Sequence, residues 1–184
     1  ANEKTAVEAA LGMSYAGKRT MAMMKHVGLN VAADPFINSG ITGANGGIIV
    51  TVADDPSMHS SQDEQDSRVL ADFAMVPVLE PSNQQEAYQM CFTGFELSEK
   101  YQTPVVLRLT TRIAHSRSGV TRGAPLKENQ LTMPEDKRQF VLLPAIARRR
   151  YKLLLEKQPT LEEEATNSPY NHYYEGNDKK MGII

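Results

Sequence analysis

Glu3 is the side chain best placed in this sequence to act as a general acid. It opens a predicted helix in which Ala6, Ala9 and Gly12 follow at regular spacing. Small residues let another backbone or a flat ligand approach closely, and a carboxyl group pressed into such a contact loses water, which favours the protonated form. Such a group could exchange a proton with a ligand near neutral pH. The alternative is that Glu3 only stabilises the helix N-terminus through the helix dipole, by about 0.3–1 kcal/mol.

A second candidate segment, residues 26–30 with the sequence His-Val-Gly-Leu-Asn, follows the first predicted strand. Open α/β sheets bind ligands beyond the carboxyl ends of their strands. Gly28 permits a close approach of a ligand to the backbone, so we predict that His26 contacts a substrate or cofactor. The competing interpretation is a loop histidine that is satisfied by protein partners and has no special role.

Residues 54–62 lie beyond the second predicted strand and combine two acids, a histidine and several hydroxyl groups. Such side chains can bind a metal, but their spacing fits none of the common ligand patterns, so we predict no metal site. The ordinary interpretation is a turn between a strand and a helix, with Asp55-Pro56 as the turn former and Ser60 or Ser61 as the helix cap.

The elements that must position these groups alternate between helix and strand. We predict strands at residues 19–25, 47–52, 75–79 and 104–109, and helices at 2–17, from 30, at 63–73 and from 82, where Ser82 and Gln85 form a capping box. The run Ile-Ile-Val-Thr-Val at 48–52 indicates a strand buried on both faces. The alternation implies an α/β fold with a parallel sheet and helices on both faces. No strand precedes Glu3, so the sheet is expected to be incomplete at the N-terminus.

The character of the sequence changes after Ser118. Residues 1–118 form the predicted α/β domain, and residues 119–184 form a predicted linker that is irregular apart from one helix near 145–157. We interpret the basic cluster at 148–150 as a solvated helix face or a contact to another domain. The closing residues 181–184 are typical of the first strand of a following domain, so the chain is expected to be a piece of a longer protein.

Composition excludes several classes of function. The chain carries a formal net charge of −2, which argues against a nucleic-acid surface. No apolar run approaches the roughly 18 residues that a membrane helix needs, and the start does not have the pattern of a signal peptide. The single cysteine, Cys91, forms no internal disulfide and by itself holds no iron–sulfur cluster, which takes about four thiolates. We expect a cytoplasmic location from this low cysteine content.

Several segments resemble one family across nearly the whole chain. They are the helix opened by Glu3 and the residues 24–35, 52–68, 77–82, 107–118 and 143–150. These segments are similar to the pyrimidine-binding domain of the alpha subunit of indolepyruvate:ferredoxin oxidoreductase, a thiamine diphosphate-dependent 2-oxoacid:ferredoxin oxidoreductase. The resemblance implies the thiamine diphosphate-binding α/β fold. It also implies an enzyme that oxidatively decarboxylates aryl pyruvates to aryl-acetyl-coenzyme A, with ferredoxin as the electron acceptor.

The resemblance assigns roles to individual residues. Glu3 would bond the N1′ atom of the aminopyrimidine ring and activate the cofactor. Cofactor contacts are implied for five consecutive residues, namely His26, Val27, Gly28, Leu29 and Asn30. His59 and Gln62 would lie near the substrate.

Cofactors and partners are implied in the same way. The cofactors would be thiamine diphosphate with Mg²⁺, whose diphosphate and metal are held by another domain, and iron–sulfur clusters elsewhere in the full enzyme. The partners would be the remaining domains of the alpha subunit, a beta subunit, ferredoxin and coenzyme A, within an oligomer that involves neither nucleic acid nor membrane. The chain by itself is expected to be inactive.

Two alternatives remain open. Another 2-oxoacid:ferredoxin oxidoreductase, such as one for pyruvate, would share most of these features, and residues 26–30 and 58–62 favour the aryl-specific subfamily by resemblance only. A non-catalytic α/β assembly module would keep the fold without the task of the acid. Asn, Gln or Ala in place of Glu3 would have favoured that alternative.

Overall fold

Residues 2–177 are described by a computed structural model, and a parallel sheet of four strands lies at its centre. The strands, in chain order, are β1 (Thr20–Lys25), β2 (Ile48–Asp54), β3 (Val78–Leu79) and β4 (Val105–Thr110). Their spatial order is β1-β2-β4-β3, and every pairing is parallel. The predicted α/β class with a parallel sheet is confirmed. The strand predicted at residues 181–184 lies outside the described residues.

Helices cover both faces of this sheet. They are α1 (Glu3–Tyr15), α2 (His26–Val31), α3 (Ala33–Thr42), α4 (Ser67–Ala74), α5 (Gln84–Tyr101), α6 (Thr111–His115) and α7 (Pro144–Thr166), with a 3-10 turn at Lys137–Phe140. The apolar side chains of α1 to α4 pack on one face of the sheet, and those of α5 pack on the other. None of the helices within residues 2–177 is long and apolar enough to span a membrane.

Strand β2 runs through the middle of the hydrophobic core. Ile48, Val50 and Val52 pack against α1 to α4, whereas Ile49 packs against Met90 of α5. Each of these β2 side chains is at most 1% exposed. The continuous apolar run of this strand is therefore explained, because neither of its faces meets water.

The predicted helix start at residue 30 is wrong, because α2 begins directly at His26. Lys25, the N-cap residue, has an extended conformation, so the chain passes from strand to helix without a connecting loop. Gly28 lies inside this helix, and a separate helix follows from Ala33. The glycine is explained by a close contact between α2 and the Glu3 side chain of α1, and it does not break the helix.

Two other helices begin later than predicted. Helix α4 starts at Ser67, because the side chain of Asp66 caps it there. The cap of α5 is Asn83 and not Ser82, since Asn83 Oδ1 accepts the Glu86 amide at 2.9 Å. The Glu86 carboxylate in turn accepts the Ser82 amide at 2.8 Å. Half of a capping box is therefore present at Asn83, but Glu86 bonds the residue before the cap and not the amide of Asn83 itself.

Helix α7 extends beyond the predicted range of 145–157 and packs across the C-termini of three other helices. Arg150 donates to two carbonyls at the end of α3, at 2.9 and 3.2 Å. Lys157 donates to the last carbonyl of α5 at 2.5 Å, and Gln158 donates to the carbonyl that follows α4 at 3.2 Å. Leu154, 4% exposed, is buried on the same side of the helix. Arg150 of the basic cluster therefore caps a helix of this same unit, where cations are favourable.

The segment between α6 and α7 is irregular apart from the 3-10 turn. It crosses the end of α1, where the Thr132 amide donates to the Ala16 carbonyl at 3.0 Å. The ring of Phe140 stacks on Tyr15 with centroids 3.8 Å apart. This segment is thus fastened to the sheet and its helices by backbone and aromatic contacts.

The partly buried amine of Lys157 makes stability depend on pH. Burial away from water, and next the charge of Arg150, lower the pKa of Lys157 from 10.5 to about 8. Between about pH 8 and 10.5 the unfolded chain binds more protons at this side chain than the folded chain does, so stability rises with pH there. We expect the free energy of unfolding of the wild type to increase over this range relative to K157M, as measured by urea unfolding.

Lys152 provides the matched control, because it lies on the same helix with its side chain 77% exposed. The difference between the wild type and K152M should stay constant over the same pH range. A constant difference for K157M as well would contradict the partly buried setting of the Lys157 amine.

Candidate functional site

The four strands end at one edge of the sheet, which we call the carboxyl edge. Strand β1 is followed there by His26, β2 by Asp55, β3 by Glu80 and β4 by Thr111. The carboxyl ends of parallel strands form the edge at which open α/β proteins bind ligands. Helix α1 packs against α2, which begins at this edge, and Glu3 lies in that contact.

Glu3 is partly buried in the first turn of α1. Asn2 fixes this turn, because its side chain accepts the Thr5 amide at 3.1 Å. The Glu3 side chain lies against Gly28, since a Cβ atom built at Gly28 would be 2.7 Å from Glu3 Cγ. Within residues 2–177 the Glu3 carboxylate has neither a hydrogen-bond nor an ion-pair partner, so it is available to a ligand.

The His26 ring is buried at the start of α2, with 1% of the residue exposed. Its Nδ1 atom lies 3.3 Å from the Ala53 carbonyl, and its Nε2 atom lies 3.2 Å from the Asp63 carbonyl. The carboxylate atom Oδ1 of Asp63 also lies 3.3 Å from Nε2, but it accepts no hydrogen bond. We therefore assign the hydrogen bond of Nε2 to the Asp63 carbonyl. The ring thus joins β2 to the segment after it, and a ligand contact by His26 stays a prediction.

The other predicted cofactor contacts have different surroundings. Leu29 is fully buried in the core between α2 and the sheet, and Gly28 is buried against Glu3. Val27 is partly buried, and Asn30 is exposed on the surface of α2. Val27 and Asn30 are therefore the members of this group whose side chains a ligand could reach.

An ion pair that the sequence did not predict is buried beneath the carboxyl edge. Asp54, 1% exposed, accepts Arg108 Nε at 2.5 Å, and Arg108 is 5% exposed. Asp54 also accepts the amide and the hydroxyl of Ser67 at 3.0 and 3.1 Å, which joins β2 to the start of α4. Arg108 bonds Glu80 beyond β3. The one arginine within the apolar run of β4 was a signal for such a pair, because a buried charge needs an opposite charge.

Asp55 binds the segment that follows β2. Its carboxylate accepts hydrogen bonds from the amides of His59 and Ser60 and from the hydroxyls of Ser61 and Thr111. The bond from Thr111, followed by those from Ser60 and Ser61, holds the pKa of Asp55 well below its usual value. The prediction that Ser60 or Ser61 caps the next helix is wrong, since both bind Asp55 and the cap is Asp66.

His59 and Gln62, the predicted substrate contacts, lie in this segment as exposed residues. In the part of the chain that the structure describes, neither side chain has a hydrogen-bond partner. The segment is held beside the start of α2, because Lys25 Nζ donates to the Ser60 carbonyl at 3.1 Å. Glu3 and this segment therefore both adjoin the first turns of α2.

The described residues contain no group of three acidic, histidine or cysteine side chains that could hold a metal ion. Cys91 is a partly buried thiol, and burial raises its pKa.

The fold and the site define an open parallel α/β domain that presents a free acid and a fixed segment at its ligand-binding edge. Residues 1–178 match the family model described as pyruvate flavodoxin/ferredoxin oxidoreductase, thiamine diphosphate-binding. The chain belongs to this family of thiamine diphosphate-dependent oxidoreductases, which confirms the resemblance seen in the sequence.

Curated relatives carry a more specific name. The indolepyruvate oxidoreductase subunit IorA of Pyrococcus abyssi is 49% identical over 189 residues, which cover 100% of this chain and 29% of that protein. Its namesake from Archaeoglobus fulgidus is 48% identical over 187 residues, which cover 100% of this chain and 30% of that protein. The chain thus spans about three tenths of the length of these relatives. A transketolase structure from Pichia stipitis aligns with a TM-score of 0.44 and 14% identity, over 89% of this chain and 28% of that one.

The contact between Glu3 and Gly28 yields a stability prediction. In G28A the new methyl group would stand 2.7 Å from Glu3 Cγ and displace that side chain, so we expect a loss of about 1 kcal/mol in the free energy of unfolding. In the background E3A the nearest obstacle is absent and Met24 Cβ, at 3.1 Å, remains close, so the same change should cost clearly less. Denaturant unfolding of the four proteins of this double-mutant cycle measures the coupling.

Gly12 is the matched control, because a Cβ atom placed there meets nothing within 4 Å. We expect G12A to stabilise the chain by about 0.5–1 kcal/mol, with or without the Glu3 side chain. If G28A were as stabilising as G12A while Glu3 is present, the close packing of Glu3 on α2 would be wrong.

Proposed function

We propose that this chain binds the aminopyrimidine ring of thiamine diphosphate through Glu3, as part of a 2-oxoacid:ferredoxin oxidoreductase. One observation carries the proposal: the Glu3 carboxylate lies against Gly28 near the carboxyl edge and has no partner within residues 2–177. A carboxyl group can donate to or accept from a ring nitrogen, depending on its protonation. Membership of the family supplies the class of cofactor.

The described residues fit one end of this cofactor. They offer an unpaired carboxylate that packs on Gly28 near the carboxyl edge and can bond a ring nitrogen. They offer no acidic cluster for a cation, so we propose that the diphosphate and Mg²⁺ are held by another domain. When it is bound, thiamine diphosphate supplies the carbanion chemistry that oxoacid decarboxylation needs.

The residues of this chain have separate tasks in the proposal. Glu3 holds or moves a proton at the ring nitrogen N1′, and Asn2 fixes the helix turn from which Glu3 projects. Gly28 leaves space for the Glu3 side chain, and the burial of Leu29 in the core keeps α2 in place. Val27 and Asn30, the accessible residues of this helix, contact the cofactor or the domain that carries it.

The proposed substrate is an aryl pyruvate such as indolepyruvate, after the name of the relatives. His59 and Gln62 are its proposed contacts, since they are exposed in the fixed segment beside α2. The alternative substrate is pyruvate, which the description of the family names.

The remaining parts of the proposal lie beyond this chain. With Cys91 as the single cysteine, the iron–sulfur clusters that pass electrons to ferredoxin are proposed to lie elsewhere in the enzyme. The partners are the other domains of an alpha subunit, a beta subunit, ferredoxin and coenzyme A, in an oligomer. A cytoplasmic setting, which suits a free thiol, is part of the same proposal.

The proposal is tested by E3Q in the complete enzyme. Glutamine keeps the shape of the side chain but cannot exchange a proton, so we expect kcat to fall by about 10²–10⁴-fold. Decarboxylation rates and thiamine diphosphate titrations measure the effect, and circular dichroism checks that the fold is unchanged.

Glu8 provides the control, since it is an exposed carboxylate on the same helix. E8Q should leave both the rate and the cofactor affinity unchanged. Full activity of E3Q would assign Glu3 to the helix dipole alone and remove the proposed function.

A second expectation concerns the chain in isolation. Because the diphosphate, the metal and the clusters are proposed to be held elsewhere, residues 1–184 alone should show no turnover and weak binding of thiamine diphosphate. Isothermal titration with the cofactor and Mg²⁺, together with an assay of oxoacid decarboxylation, checks this. Turnover by the isolated chain would contradict the proposal that the diphosphate, the metal and the clusters are held by other domains.

A further inference from the structure

The Asp55 carboxylate is buried at the carboxyl edge and is saturated with hydrogen bonds. Asp55 is 4% exposed. Its Oδ1 atom accepts from the His59 amide at 3.2 Å and from the Thr111 hydroxyl at 2.7 Å. Its Oδ2 atom accepts from the Ser60 amide at 2.7 Å and from the Ser61 hydroxyl at 2.8 Å. Two neighbouring strand ends and the segment after β2 therefore converge on one charged group.

The segment at residues 56–62, which we call the edge loop, contains two residues in an unfavourable backbone conformation. Ser57 and Met58 have φ values of 68° and 52°, a left-handed conformation that side chains other than glycine rarely adopt. The Met58 amide donates to the Asp55 carbonyl at 3.0 Å, and the Ser57 amide donates to Glu64 at 3.1 Å. Unfavourable conformations of this kind persist where the surroundings determine them, so the turn depends on these contacts.

The edge loop is also tied to the helix that packs on Glu3. Lys25 Nζ donates to the Ser60 carbonyl at 3.1 Å, and the His26 ring reaches the Asp63 carbonyl just beyond the loop. Lys25 is the N-cap of α2 and His26 is its first residue, and Gly28 of the same helix contacts Glu3. The loop and the proposed acid are thus held by the same short helix.

Three of the exposed residues of the edge loop, Met58, His59 and Gln62, carry a thioether, an imidazole and an amide. Such groups can pack on an aryl ring and bond a carboxylate. The backbone of the loop is held in place by its hydrogen bonds to Asp55, so these side chains are presented on a fixed backbone. A wall of this kind is organised before the ligand arrives, which lowers the entropy lost on binding.

We infer that Asp55 is a positioning residue, which holds the edge loop as a preformed wall of the substrate site so that His59 and Gln62 meet the 2-oxoacid without loop closure. This inference rests on the proposed function. Asp55 itself touches no substrate, since its four hydrogen bonds occupy both oxygens. Its effect should therefore fall on substrate binding more than on the chemical step.

The test uses D55N in the complete enzyme. Asparagine has nearly the same shape but presents an NH₂ group to hydrogen-bond donors, so the loop should lose its anchor. We expect hydrogen exchange in residues 56–62 to accelerate by about tenfold or more. We also expect KM for the 2-oxoacid to rise by about tenfold while kcat changes by less than about threefold.

Milder and control variants keep the test informative. S61A and T111V each remove one of the four bonds and should shift exchange and KM in the same direction by smaller factors. They replace D55N if that variant does not fold. D72N removes an exposed carboxylate of α4 and should change neither measurement.

The outcomes separate the inference from the proposed function. Unchanged exchange in D55N, or in both milder variants, would overturn the inference. Faster exchange in D55N with an unchanged KM would also overturn the inference. In that case, loss of turnover in E3Q would show that the proposed function still stands. Full turnover in E3Q would overturn the proposed function and the inference together.

Discussion

The buried pair of Asp54 and Arg108 is the interaction on which the carboxyl edge depends. Ionised groups withdrawn from water are tolerated only when each meets an opposite charge and further hydrogen bonds. This pair draws in Ser67 and Glu80, and so it joins the ends of β2, β3 and β4 to the start of α4. Successive side chains of a strand point to opposite faces, so with Asp54 held among these groups, Asp55 is left to organise the chain beyond β2.

The two ends of the sheet are stabilised by different means. At the carboxyl edge, carboxylates gather donors from strand ends and loops, and Glu3 remains without a partner in the part of the chain that the structure describes. At the opposite end, the carbonyls that close α3, α4 and α5 receive donors from a single helix, α7. Helix α7 therefore fixes the helices at one end of the sheet, while the acid without a protein partner lies near the other end.

The sequence predicted the features that are determined by local patterns of residues and missed those that are determined by contacts between residues distant in the chain. Residues 47–52 and 104–109 were identified as the strands β2 and β4, and the segment opened by Glu3 was identified as the helix α1. The helix was predicted only from residue 30, and Gly28 was interpreted as room for a ligand, whereas the Glu3 side chain of another helix occupies that space. Ser60 and Ser61 satisfy the local rule for a cap, yet the charge of Asp55 attracts them more strongly. Asp55 itself looks like any turn aspartate until the Thr111 hydroxyl, from another strand end, is placed beside it.

The position of α7 bears on how this protein should be shortened for study. A version that stopped at residue 118 would keep all four strands of the described sheet, but it would strip the donors from the ends of three helices. Bare carbonyls beside the exposed surface left by Leu154 would favour fraying and sticking between molecules. Truncations for crystallography or nuclear magnetic resonance should therefore retain α7, even though the strands alone look self-sufficient.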